Sequence, residues 1–473
     1  MTFASFLLWQ TLFAQGVPSP GPGVFASAAP PVCANGYSTY TTAVIAGMGL
    51  SAGTYTSGMT VSGTIGQTIV LASFNGGGSG ATATVALTGT NTIAGGTAIV
   101  VTAPGGLYST APTSATGSSG TATFVSGTPV VSTSLASLTN WPGLISLSNN
   151  SFKVVGSGGT VVNTTTQTVG ARSLTVPADF LVTKTDCTQI TGVEFEAYSG
   201  TAGTAQLWGN QAMAAVGTTV YIFTGNASVT TLQGTPSGAW NANYGGVWHV
   251  PDGSTLNAGD STSNANNGTV NGATAAAGQV DGASASNGGG SQSISMGANR
   301  TTLQPIHTIT VECWVKPLSA TQVTNATMIQ QDANSPGAFG GVSYALELSD
   351  NHNPGKFAWR YSLNGGIANY IVSTVPFVNG TWAHVAGTYN SGSTNIYVDG
   401  VLSTTSMQGS TIDYVNTGVF GLLGYGTGTN EVNAALDECR VMTVASTPAW
   451  IAADYQNQLN PGTFWTLTYA QTN

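Results

Sequence analysis

Through most of the chain beyond residue 137, apolar and polar positions alternate with a period of two. HTITVECWVKP (307–317) puts Ile309, Val311, Cys313 and Val315 on one side of an extended backbone and Thr310, Glu312, Trp314 and Lys316 on the other. Pro317 closes that run. NGTWAHVAGTYNSGSTNIYVDG (379–400) repeats the pattern, with Trp382, His384 and Ala386 on one face and Ala383, Val385 and Gly387 on the other. NSGS supplies a turn, and Asp399-Gly400 suits a type I′ turn into the following strand. TVPADFLVTKTDC (175–187), TGVEFEAYSG (191–200), GTAQLWGN (203–210) and TTVYIFTGNAS (218–228) are further β-prone runs bounded by Gly, Asn or Asp. AWIAADYQN (449–457) alone has helical spacing, through Trp450, Ile451 and Tyr455.

The pattern changes between about 46 and 136. GSGATATV (78–85) and SSGTATFV (118–125) are approximate copies, separated by GGTAIVV (95–101) and GGLYSTAPT (105–113). These are short strands with glycine turns. The stretch reads as an insertion, because 137–155 resumes what CANGYSTYTTAVI (33–45) begins. GGLYSTAP resembles the G-x-G-Y-x-x-x-P repeats of bacterial surface and phage structural proteins. The expected class is all-β: two β-sandwich (jelly-roll) domains with an inserted Gly/Thr-rich β segment. The expected division is 1–32 as an apolar segment and Pro/Gly linker, 33–238 as the first sandwich interrupted at 46–136, and 239–473 as the jelly roll.

Charge narrows the function. Charged residues make up 5% of 473, the net charge is −9, and the first Asp, Glu, Lys, Arg or His is Lys153. The first third therefore lacks the groups for ordinary acid–base catalysis and for neutralising phosphates. Nucleic acid and anionic membrane surfaces are poor partners for the chain. Phe3 to Ala14 is an apolar run of signal-peptide length followed by Ala26-Ser27-Ala28, without a basic leader, and too short to span a bilayer. Export is the expectation. Cys33, Cys187, Cys313 and Cys439 contain no C-x-x-C. The expected disulfides are Cys33–Cys187 and Cys313–Cys439, one per half; four buried thiols are the alternative.

Two family resemblances follow. CANGYS, LTNWPGLISL, TVPADFLVTKTDC, VEFEAY and VYIFTGNASV, in that order, resemble the DUF2341 family, which has no assigned activity. GVWHVPDGSTLNAGDSTSNANNGTVNG, HTITVECWVKP, GVSYALELSD, KFAWRYS, NGTWAHVAGTYNSGSTNIYVDG and AALDECRVMTVASTPAWIAADYQNQ resemble a laminin-G-like, concanavalin A-like lectin/glucanase jelly roll of the LamG_3 type. That resemblance implies a sandwich with a helix packed across its end. It also implies a last core strand in which Asp437-Glu438 and Arg440 tie strand ends together.

Candidate chemistry is sparse. Trp248-His249 and Trp382-His384 lie in strands, and a histidine bonded within or at the rim of a sandwich outweighs a catalytic one; no G-x-S-x-G stands near any histidine. Jelly-roll glucanases carry E-x-D-x-x-E, which aims carboxylates roughly 5 Å apart into one cleft. That motif is absent. Glu194 and Glu196 share a face, whereas Asp437 and Glu438, being adjacent, should point to opposite faces. Glu438 and Arg440 fall on one face as a surface pair worth well under ~1 kcal/mol. Asp252, Asp260 and Asp281, with Asn264 and Asn266, are candidate Ca²⁺ ligands in Gly/Asn-rich loops, set against turn residues that bond their own backbone. Trp359, Tyr361, Tyr370 and Tyr425 are candidate sugar-stacking rings.

The expected role is a non-catalytic extracellular adhesion or carbohydrate-binding protein that recognises glycans at loop rims, with structural Ca²⁺ as the candidate cofactor. The alternative is a structural subunit of a surface fibre or of a phage tail or virion, with the N-terminal third as assembly arm. A polysaccharide-degrading enzyme comes third.

Overall fold

The computed structural model describes residues 36–45, 138–211, 217–250, 256–332, 342–349, 354–363, 367–407, 409, 411–414, 418–424 and 430–472, together with the backbone of six strands between 53 and 123. The apolar N-terminal run, Cys33, Asp252, His352 and Tyr425 lie outside the described residues.

The first sandwich faces a four-stranded sheet against a three-stranded one. The former runs Leu181–Lys184, Thr219–Thr224, Thr39–Ile45, Trp465–Thr472, and the latter Val193–Ser199, Thr204–Gln211, Trp141–Ser148. Between them Ile145, Leu147, Phe152, Phe180, Phe195, Leu207, Ile222 and Trp465 form one core. The outermost strand corrects the expected division. Trp465–Thr472 pairs antiparallel with Thr39–Ile45, Ile45 opposite Trp465, so the C-terminal strand completes the first sandwich although the whole of 239–473 was expected to form the second. Trp465 buries its ring in this core and donates its indole N–H to the Leu144 carbonyl at 2.8 Å.

The inserted segment forms a sheet of its own, in the order Gly53–Thr54, Ala98–Gly106, Ser79–Ala86, Thr68–Phe74, Ser114–Gly117, Gly120–Thr123. It contains no Asp, Glu, Lys, Arg or His.

The second sandwich is larger. Its eight-stranded sheet runs Thr274–Ala277, Gly282–Asn287, Asn433–Met442, Thr308–Pro317, Ala383–Asn390, Ser393–Val398, Val401–Met407, with Tyr244–Trp248 also paired to Asn433–Met442. Its seven-stranded sheet runs Thr269–Asn271, Ser293–Ala298, Val419–Leu422, Ala326–Asp332, Val342–Ser349, Lys356–Leu363, Ile367–Pro376. The predicted alternation holds: Ile309, Val311, Cys313, Val315 and Val385 enter the core. Gly387 is required there, because a Cβ would stand 2.4 Å from the Trp359 ring. Asp399 and Gly400 have φ of 51° and 76°, the two positive values of a type I′ turn.

Cys313 and Cys439 form the expected disulfide across neighbouring strands of the eight-stranded sheet. Cys187 is also disulfide-bonded. One adjacency argument fails. Glu438 has φ 50°, and the register between Asn433–Met442 and Thr308–Pro317 shifts between Glu312 and Trp314. This β-bulge lets Asp437 and Glu438 both leave the core face, while Leu436 and Cys439 stay in it.

Thr447 caps the helix Pro448–Leu459, accepting from the Trp450 N–H. The helix lies on the outer face of the eight-stranded sheet, where Tyr455 stacks on Trp314 at 5.6 Å and the Trp314 indole donates to Gln458 Oε1 at 2.7 Å. Its Asn457 side chain accepts from the Leu144 N–H at 2.6 Å and donates to the Leu144 carbonyl at 2.8 Å. The helix thus touches both sandwiches.

Candidate functional site

The outer face of the three-stranded sheet meets the outer face of the eight-stranded sheet. Leu144, Trp208, Trp240, Tyr244, Val247 and Met442 make its apolar part. Within that layer lies a cluster of charged groups closed to water. Phe195 points into the first core, so period two sends Glu194 and Glu196 outward to the junction. Trp248 points into the second core, so His249 goes the other way and meets them.

Each member of the cluster is held from several sides. Glu194 accepts from Arg172 Nη2 at 2.9 Å, the Trp240 indole at 2.6 Å and the Ser261 hydroxyl at 2.8 Å. Glu196 accepts from the Trp208 indole at 2.7 Å. Glu438 takes His249 Nδ1 at 2.6 Å on one oxygen and Arg440 Nη2 at 2.7 Å on the other. Arg440 lies 4.5 Å over the Trp208 ring and 5.1 Å over Trp240, with Glu312 at 3.5 Å and Asp454 at 3.9 Å. Asp454 accepts from the Trp141 indole at 2.7 Å, and Asp437 accepts from the Gln279 and Val280 N–H groups at 2.7 and 3.0 Å. Glu438 and Arg440 do pair as expected, but in the interior and not at the surface.

Ionisation follows from burial and neighbours. Burial pushes every carboxyl group here upward. In Glu194 the His249 and Arg172 charges overcome it and leave the group below its ordinary value. In Glu438 they come from His249 and Arg440 and bring it to about 2. Glu196 and Asp437, buried beside charged Glu438, are held well above the carboxylate range, and burial with Asp454 does the same to Glu312. Burial raises Asp454 to about 6 against the pull of Arg440. Burial alone would neutralise His249; Glu438, Glu196 and Glu194 keep it protonated. Burial and Arg440 bring His384 down to about 3, so its 3.9 Å approach to Glu312 involves a neutral imidazole.

Of the candidate calcium ligands, Asp260 is already engaged by the protein itself. Asp260 is fully buried and its carboxylate is consumed by its own loop: the N–H groups of Val247, Thr262 and Asn266 and the Thr262 hydroxyl all donate to it, at 2.8 to 3.0 Å. Asn264 and Asn266 donate to the Gly245 carbonyl. Among the described residues, Asp260 and Asp281 belong to no group of three His, Cys, Asp or Glu side chains that could share an ion. Glu196, His249 and Glu438 do form one, with ligand atoms within 4.8 Å of one another. The turn reading of Asp260, Asn264 and Asn266 is the better one.

A second surface lies on the far side of the jelly roll. Strand register sets Ser295, Gly421, Gln330, Ala345, Arg360 and Tyr370 in one row across the outer face of the seven-stranded sheet. Glu347 is on the same face and reaches Arg360 at 3.4 Å. Gln330 and Glu347 are buried, Arg360 is half-buried and Tyr370 is 45% exposed. Trp359 and Tyr361, two of the candidate rings, point the other way into the core. His307 meets the Ser391 hydroxyl at a turn.

Sequence reasoning grouped Glu194 with Glu196 and Glu438 with Arg440, and singled out His249 and Asp437, but missed that they all converge. It missed Arg172, Trp208, Trp240 and Asp454 altogether. The one available signal was that Trp208 and Glu196 sit at polar-side positions of their strands.

Residues 287–452 match the Laminin_G_3 family model, described as the concanavalin A-like lectin/glucanases superfamily. No curated protein matches the chain. Among solved structures, domain 4 of AbnA, a GH43 extracellular arabinanase from Geobacillus stearothermophilus in complex with arabinotriose, is 20% identical over 42% of this chain and 93% of that one, with a TM-score of 0.34. The binding domain of Paraclostridial Mosquitocidal Protein 1 is 17% identical over 45% of this chain and 52% of that one, with a TM-score of 0.35. The Trypanosoma rangeli sialidase in complex with the inhibitor DANA is 16% identical over 45% of this chain and 32% of that one, with a TM-score of 0.32. The chain thus spans about half of the second of these and a third of the last.

Proposed function

We propose that the chain is a non-catalytic extracellular carbohydrate-binding or adhesion protein, and that the outer face of its seven-stranded sheet takes up the glycan. The observation that carries this reading is the row ending in Arg360 and Tyr370. It offers an exposed ring for a sugar face and a half-buried guanidinium for hydroxyls, backed by Glu347. The lectin/glucanase description of the family matched at 287–452 supports it. A DUF2341-like first sandwich would act as the platform. The non-catalytic part of the reading rests on the carboxyl pairs. Glu194 with Glu196 and Asp437 with Glu438 are all buried inside the junction, out of reach of a glycan chain. The test is a glycan array with the full chain, with and without Ca²⁺, alongside Tyr370→Ala and Arg360→Ala. Binding lost in both variants is expected. An array without a hit in either condition sinks the reading, and released reducing sugar from any bound glycan sinks its non-catalytic part.

A second reading, a subunit of a surface fibre or a phage tail or virion, is favoured by the charge-free six-stranded sheet, whose edges carry no charges to discourage pairing with another copy. Electron microscopy across salt and protein concentration tests it; monodisperse single chains throughout count against it.

A further inference from the structure

We propose that Glu196, His249 and Glu438 form a site for one divalent transition ion of the Mn²⁺ or Zn²⁺ kind, buried between the two sandwiches.

The three side chains come from three separate strands or strand ends. Glu196 lies on the first sandwich; Glu438 and His249 lie on the second, His249 directly after Tyr244–Trp248. Their ligand atoms fall within 4.8 Å of one another, so small side-chain shifts bring them onto one ion. One imidazole nitrogen with carboxylate oxygens suits a borderline divalent ion better than Ca²⁺, which prefers oxygen alone.

A further observation points to a missing partner. Glu196 Oε1 is fully buried and has no hydrogen-bond partner. Such an orphaned atom is costly in a dry interior.

The outer partners are arranged as metal ligands need them. With the ion on Nδ1, the His249 Nε2–H faces Glu194 Oε2, now 3.6 Å away. Glu194 is itself fixed by Arg172, Trp240 and Ser261. Glu196 is oriented by the Trp208 indole and Glu438 by Arg440. Only the 2.6 Å contact between His249 Nδ1 and Glu438 must open, and there the ion replaces a shared proton.

The test uses the full chain. It is unfolded and refolded with EDTA, freed of chelator and refolded again with Mn²⁺, Zn²⁺ or Co²⁺, because a closed site exchanges slowly. Metal content is measured by mass spectrometry beside the melting temperature. The expected result is about one ion per chain, a raised melting temperature and, for Co²⁺, a visible absorption band of a nitrogen-ligated site. Glu196→Gln and Glu438→Gln should each weaken binding by about tenfold or more. No retained ion and no thermal shift with any of the three metals would overturn the proposal, as would equal binding by wild type and both variants. Should the variants fail to fold, the cobalt band of the wild-type chain decides: its presence at unit stoichiometry supports the site, and its absence overturns it.

Discussion

The Arg440 guanidinium of the second sandwich lies over the Trp208 indole of the first, 4.5 Å from ring centroid to guanidinium carbon, with neither side chain exposed. A cation taken from water needs such a face and its three carboxyl neighbours together, since burial alone would cost several kcal/mol.

Removing that cation should be severe. Arg440→Ala leaves Glu438, Glu312 and Asp454 without their shared partner and should cost about 3–5 kcal/mol. Arg440→Lys should recover little, because an ammonium cannot stack between Trp208 and Trp240 and still reach Glu438. Guanidinium titrations followed by tryptophan fluorescence measure both. A loss under 1 kcal/mol for the alanine variant would show the cluster to be dispensable.

The Cys313–Cys439 bridge closes a loop with a sequence separation of 126. In the chain-entropy account such a loop stabilises by about 4–5 kcal/mol. The Cys313→Ala, Cys439→Ala double variant should unfold at clearly lower denaturant, with the second sandwich losing more than the first. Unchanged midpoints would contradict this.

Asp399 gives a pH dependence with a definite sign. Burial raises it to about 6 from 3.8, although the His384 N–H at 2.9 Å partly offsets this. The folded chain therefore holds this proton more tightly than the unfolded chain does. Stability from this group should increase as pH falls from about 7 towards 4, by on the order of 2–3 kcal/mol. Asp399→Asn keeps an acceptor for the His384 N–H and should flatten that part of the profile. Melting curves from pH 4 to 8 test it; an identical profile in the variant is the opposing result.

Trp465→Ala should destabilise the first sandwich by about 3–5 kcal/mol, through a cavity in its core and the lost bond to the Leu144 carbonyl. Hydrogen exchange should show the Thr39–Ile45 strand opening first. Protection confined to normal levels there would argue against the shared sheet.

Much of the fold was legible because period two was enforced by burial on one face. Ile309 to Val315 and the Asp399-Gly400 turn are where alternation and turn chemistry placed them. The convergence of the charged groups was not legible. Asp437 and Glu438 were assigned to opposite faces, and a bulge formed by a glutamate, with no glycine to mark it, put both on one. Likewise, Glu194 and Glu196 were placed on one shared face and His249 in a strand, but no local pattern says that the outer faces of two sandwiches meet. The strand Trp465–Thr472 was missed for the same reason: its partner is at the other end of the chain.

That pairing sets an order of events during synthesis. Thr39–Ile45 leaves the ribosome long before the strand Trp465–Thr472, which is one of its two neighbours. The whole jelly roll, with its hairpins and disulfide, can fold while the first sheet still waits with one edge open. Loop closure over so long a span is slow unless the intervening chain is already compact. The second sandwich is then the scaffold on which the first is finished, and a nascent chain stalled before residue 465 would hold a completed jelly roll beside an incomplete first domain.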